Sequence, residues 1–238
     1  TANALFPTAG TIAAAIATVT GLLLMPVLGP NGASRLILCV AAGLLVSAAI
    51  ATRIPRRDLG PEAGEAGMAS LTSDLAAVVR GMVAGVVHVH HRPRARRGMG
   101  VVMAHRVAFG ALLVDALLLV RNTLNAPGDT DTALADFALT AAGASLGSLL
   151  AAVTAPRVVR RIGLAPWSAT TLFGAAVVAP LSFASMALPL LAVGSLAMGF
   201  AGQTVKIAGD TVLQQDVDES YRGRVFALYD VGLNVALV

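Results

Sequence analysis

Charge is what this sequence has least of. Of its 238 residues, 13% are charged and 56% are hydrophobic, where a soluble domain carries about 25% charged residues. A large water-soluble core needs a polar shell, and these charges gather in a few short segments instead. Aromatic residues are scarce too, at 4%. The net charge of +4 therefore has little beside it to stack on bases, and no nucleic-acid partner is expected. The basic groups, almost all arginine, suit anionic lipid headgroups better. A single cysteine, Cys39, excludes an intrachain disulfide and says nothing about redox compartment. There is no nucleophile–base set, no phosphate-binding glycine loop and no HExxH spacing. No catalytic residue and no cofactor are therefore expected. His88, His90 and His91 lack a nearby cysteine or carboxylate set and read as solvated loop histidines rather than a metal site.

What is present is a series of long apolar runs. A helix needs about 20 apolar residues to cross a bilayer. Residues 6–28 carry no charge, with Ala13, Ala17 and Gly21 at a four-residue spacing that lets another helix approach. Gly29-Pro30-Asn31-Gly32 is a turn, and residues 36–52 form the return span, with Gly43 and Ser47 at the same spacing. Residues 99–122 make a third span and residues 137–156 a fourth, whose small residues are Gly143, Gly147, Ala151 and Ala155. Residues 162–205 are uncharged and long enough for two spans, broken near residues 186–189. The last 14 residues begin a seventh span of about 21 Å, short of the roughly 30 Å core. The fold class expected is an all-helical, polytopic membrane bundle of about seven spans, the last truncated. The opening TANALFPTAG has neither an initiator Met nor a basic leader, and the chain closes inside an apolar run. It is read as an internal piece of a longer protein.

The polar interval from Arg53 to Arg106 organises the rest. It holds nine of the 17 basic residues. Residues 55–70, with Pro55 and Pro61, read as loop. A helix is expected near 72–87, with Leu71, Leu75, Val78, Val79, Met82, Val83 and Val86 on one side and Asp74, Arg80, Gly85 and His88 on the other. Either it lies in the membrane interface or it packs on the protein's face. With the interval inside, 15 basic residues are inside and two, Arg35 and Arg121, are outside, and that asymmetry orients a membrane protein. Asp129, Asp131 and Asp136 then fall outside. The expected location is the cell membrane, multi-pass, with residues 54–98 cytoplasmic.

The stretch GFAGQTVKIAGDTVLQQDVDESYRGRVFALYD resembles the tenth helix, following loop and eleventh helix of major facilitator superfamily exporters, nearest to a bacterial multidrug- and siderophore-efflux branch. ANALFPTAGT is similar to that branch's entry to helix five, and HRVAFGALLVDALLLVRN to its helix seven. The resemblance covers the chain as helices five to eleven of twelve. It implies the last two helices of an N-terminal half in residues 1–53, a cytoplasmic linker in 54–98, and a C-terminal half lacking its final helix in 99–238. It also implies a secondary transporter, an efflux permease working by alternating access on a small molecule, with protons as a coupling partner. A membrane scaffold and an intramembrane enzyme are the rival classes. The family's loop between helices eight and nine keeps its basic residues here, Arg157, Arg160 and Arg161, without its aspartate.

Ionisable groups inside spans are costly and mark pathways or partners. Asp115 sits mid-span with Asn122 on its face, seven residues on. It is either a pathway carboxylate or a structural one paired with another helix. Gln203 and Asn234 can hydrogen-bond substrate or a neighbouring helix. Lys206 and Asp210, four residues apart, read first as a local ion pair. Lys206 to Arg224 reads as a charged cytoplasmic loop in which Arg222 or Arg224 closes a gating ion pair with another loop.

Overall fold

A computed structural model of the chain describes residues 32–53 and 71–237, with Ala13, Ala17, Thr20, Gly21 and Leu24 before them. The first expected span and the loop at 55–70 lie outside the described residues, apart from those five positions. Every described element is helical: α1 Gly32–Ala51, α2 Leu71–His90, α3 Pro93–Leu119 with a π-helical turn Val120–Leu124, α4 Thr130–Ile162, α5 Leu164–Ala184, α6 Leu188–Asp216 and α7 Glu219–Leu237. Five are long and apolar enough to cross a membrane: α1, α3 with its π turn, α4, α5 and α6. This is the expected all-helical membrane bundle.

The chain divides into two compact units, one holding Thr20–Gly81 and the other Met82–Val238. In the first, α1 is exposed almost throughout, Leu45 to 72% and Ile37 to 68%. Among the described residues, a Cβ on Gly43 would find open space, and the Ser47 hydroxyl donates back to the Gly43 carbonyl at 2.9 Å.

In the second unit, the small-residue stripe of α4 does what its spacing implies. A Cβ on Gly143 would collide with the Ala192 carbonyl, one on Gly147 with the Leu196 carbonyl, and one on Gly199 with the Ala144 carbonyl. Ala151 and Ala155 continue the stripe and are buried. The backbones of α4 and α6 therefore touch, and Ser148 Oγ donates to the Gly199 carbonyl across the seam at 3.1 Å. On the other side of α6 lies α3, with His105 over Gly202 and Val102 over Gly209. A core of Val102, Val205, Leu213, Val225 and Tyr229 binds α3, α6 and α7 together. The register of these contacts runs α4 parallel to α6, and α3 antiparallel to it. The N-terminal end of α3 and the C-terminal ends of α4 and α6 consequently share one end of the unit.

Several boundaries differ from the sequence reading. Helix α3 begins at Pro93 rather than 99. Arginine is a good helix former, and proline is suited to a first turn. Helix α4 continues through Pro156 to Ile162, carrying Arg157, Arg160 and Arg161 as helix residues. Gly163 stops it, with φ of 87° and its N–H on the Val159 carbonyl. The charged loop expected from Lys206 to Arg224 is helical except for Val217 and Asp218. Charge was read there as loop, but an i, i+4 Lys–Asp pair supports a helix.

Candidate functional site: a polar layer within the helices

Helix α6 has 29 residues, about 43 Å of rise, so Lys206 lies about 15 Å from its C-terminal end. Its Nζ is 3.0 Å from the Asp210 carboxylate, with side-chain exposures of 29% and 16%. The local ion pair expected from the spacing is therefore formed, and it is largely shielded. The same Nζ lies 5.6 Å from the ring centre of Tyr229 on α7, within cation–π range. Tyr229 is fully buried; its hydroxyl makes no hydrogen bond of good geometry among the described residues, although the Asp210 carboxylate lies close enough to act on it as an acceptor. Asp210, Arg106 and Asp230 are its charged neighbours. Lys206, Asp210 and Tyr229 thus form a polar group between α6 and α7, with Arg106 of α3 and the exposed Asp230 of α7 acting on Tyr229 as longer-range charges. Just beyond it, buried His105 bonds the Met198 carbonyl through Nε2 at 3.0 Å.

Sequence reasoning singled out Lys206 and Asp210 but missed Tyr229 and His105. A tyrosine within a charged motif gives no sign that its hydroxyl is sealed from water. The signal for His105 was its position beside Arg106 at the start of an apolar run.

The other expected residues are not drawn into this layer. Asp115 is exposed on α3 and has no hydrogen bond or ion pair among the described residues. Asn122 is exposed in the π turn, and with Arg121 and Asp129 it lines a hollow of about 490 Å³ at the opposite end of the unit. Such turns within α-helices are frequent at functional positions. Gln203 is half-buried. Asn234 is exposed and donates to the Asp230 carbonyl of its own helix at 2.8 Å. Arg157 bonds the Val153 carbonyl of its own helix at 3.3 Å, while Arg160 and Arg161 are exposed.

A second cluster closes the end that carries the arginines. Arg92, just before α3, grips both carboxylate oxygens of Asp218 at 2.8 and 2.7 Å and donates to the Asp216 carbonyl. Asp216 in turn accepts the Ala95 N–H at 3.2 Å, capping α3 from another helix. His88 lies 3.7 Å from Asp218 and stacks on Tyr221 at 4.3 Å. It is a helix residue packed on a ring, not the solvated loop histidine expected. An ion pair between segments thus forms here between Arg92 and Asp218. Arg222 donates only to the Gln214 carbonyl at 3.4 Å, and Arg224 lies 5.7 Å from the Tyr221 ring centre.

Two known proteins resemble the chain, an uncharacterized MFS-type transporter of Mycobacterium bovis and one of Mycobacterium tuberculosis. Each is 35% identical over 203 residues, which is 85% of this chain and 44% of the relative. This likeness supports membership of the major facilitator superfamily. No family model and no solved structure matches. The chain spans less than half the length of these major facilitator relatives. Their MFS-type description agrees with the apolar helices here in pointing to a multi-pass membrane protein.

Proposed function

We propose that this chain is part of a secondary active transporter, an efflux permease that moves a small molecule by alternating access with proton coupling. The observation that carries the reading is the shielded Lys206–Asp210 pair beside the buried Tyr229. Buried charges are tolerated when each satisfies the other, and breaking one side leaves an uncompensated charge. A proton or a cationic substrate on Asp210 would free Lys206, and the buried Tyr229 hydroxyl beside Asp210 would rebond in the rearranged group. Such a layer is a two-state element of the kind alternating access requires. Asp115, Asn122, Gln203 and Asn234 are the proposed pathway residues. Asp115 and Asn122 are exposed, Asp115 on α3 and Asn122 in the π turn that follows it.

The proposed division keeps residues 1–53 with the N-terminal half, 54–98 as a cytoplasmic linker and 99–238 with the C-terminal half. The proposed membrane is the cell membrane. The shared end that carries Arg92 to Arg97, Arg157 to Arg161, Arg222 and Arg224 is cytoplasmic in this reading.

The test uses the complete protein in proteoliposomes under an imposed proton gradient, with ethidium as a fluorescent cation probe and a trapped pH dye. Asp210→Asn and Asp115→Asn should each insert normally, lose gradient-driven efflux at least ten-fold and abolish probe-dependent proton flux. Parent-level, proton-coupled efflux in both variants would refute the assignment.

A further inference from the structure

The end of the Met82–Val238 unit that carries Arg92 also holds a cavity of about 890 Å³. Its walls differ in kind. Val87 and Pro93 supply an apolar side, and His91, Arg94 and Arg97 a basic one. The acids on its rim are already engaged: both Asp218 carboxylate oxygens accept from Arg92 Nη2, and Asp216 caps α3 by accepting the Ala95 N–H. Arg94 and Arg97 are exposed and have no carboxylate partner among the described residues. Three residues apart in α3, they stand on one helix face, with Cβ atoms about 5–6 Å apart. Two guanidiniums at that spacing make a fork for one phosphate group.

Helix α2 supplies the second half of the observation. In this unit it turns Gly85, His88 and Val89 toward the protein and leaves Val83, Val86 and Val87 outward, exposed to 57%, 49% and 51%. The sequence had placed Gly85 and His88 on the polar side. That side is the one packed, against the Arg224 backbone and the Tyr221 ring. The valine row therefore faces away from the protein and leads into the cavity through Val87. An apolar row ending at an unpaired cationic fork matches an amphiphile with an anionic head, not a soluble anion.

We propose that this cavity binds the headgroup of an anionic phospholipid, its phosphate between Arg94 and Arg97 and its acyl chains along Val83, Val86 and Val87. Basic pockets between membrane helices suit such headgroups, and each basic group near an anionic surface adds a separate attraction. The inference needs only the membrane placement of the helices. It stands or falls independently of the transport reading, because its readout is binding.

The test is native mass spectrometry of the purified complete protein in detergent, titrated with phosphatidylglycerol or with phosphatidylcholine of the same chains. The parent should bind phosphatidylglycerol about ten-fold more tightly. Arg94→Gln/Arg97→Gln should weaken phosphatidylglycerol about thirty-fold, the factor two such basic groups supply. Val87→Glu, which sets a like charge against the phosphate at an exposed position, should weaken it in the same direction. Arg157→Gln/Arg160→Gln removes equal charge from α4 at the same end and should change nothing. Glycerol 3-phosphate should not displace the lipid at equal concentration. The proposal is overturned by equal binding of the two lipids, by unchanged affinity in the Arg94/Arg97 variant or in Val87→Glu, or by an equal loss in the Arg157/Arg160 variant. Displacement by glycerol 3-phosphate would also overturn it, by assigning the cavity to a soluble phosphate.

Discussion

At the scale of single residues, Arg92 carries more contacts than its place in a polar stretch suggests. It ties the start of α3 to the turn between α6 and α7 through Asp218 and the Asp216 carbonyl. Its side chain is 33% exposed and that of Asp218 56%, so solvent screens the pair and its worth is about 1 kcal/mol or less. The geometry is two-pronged, and lysine cannot reproduce it. Arg92→Lys and Asp218→Asn should each speed amide exchange in residues 88–96 several-fold. The double variant should add little to either, since both remove one contact. Fully additive effects would show that the two residues act separately. Arg224→Lys, which keeps the positive charge near Tyr221, should leave exchange in 88–96 unchanged.

Elements are set against one another chiefly by glycine. The α4–α6 seam brings backbones together at Gly143, Gly147 and Gly199, where an added Cβ has carbonyls in its way. Forcing extra atoms into a packed seam costs about 1–3 kcal/mol. Gly147→Ala and Gly199→Ala should lower the melting temperature in detergent and the yield of monodisperse protein. Gly174→Ala should do neither, since a Cβ there meets nothing within 4 Å and alanine is the better helix former. Equal melting for all three would refute the seam. The stripe in α4 was legible in sequence as a period of four. The same period at Gly43 and Ser47 has no partner helix among the described residues. Small residues permit close approach, and only the fold decides whether a second helix takes the place. Element ends were less legible, because charge was read as loop: Arg157 to Arg161, Lys206 to Asp216 and Glu219 to Arg224 are all helix.

For the whole molecule, the arginine-rich segments fall at one end of the Met82–Val238 unit, while Arg121, Asp129 and Asp131 fall at the other. That arrangement motivates a sidedness test. In the complete protein with Cys39→Ser, single cysteines at Arg94 and Thr130 should react differently with an impermeant thiol reagent applied to intact cells. Position 130 should label and position 94 should label only after lysis. The opposite pattern would reverse the proposed orientation.

Sequence alone determined that this chain is a helical membrane protein, because apolar run length and charge placement are one-dimensional quantities that the bilayer reads directly. It also determined the α4 stripe, which follows from the pitch of a single helix, and the i, i+4 spacing of Lys206 and Asp210, which became a pair once α6 ran through both. Tertiary structure decided everything that depends on which helix stands next to which. It buried the Tyr229 hydroxyl beside Lys206, gave Asp218 to Arg92 rather than to Arg222 or Arg224, and turned the valines of α2 away from the protein. Those outcomes rest on contacts between residues far apart in sequence, such as Arg92 and Asp218, 126 positions apart, and no local period records a distance of that kind.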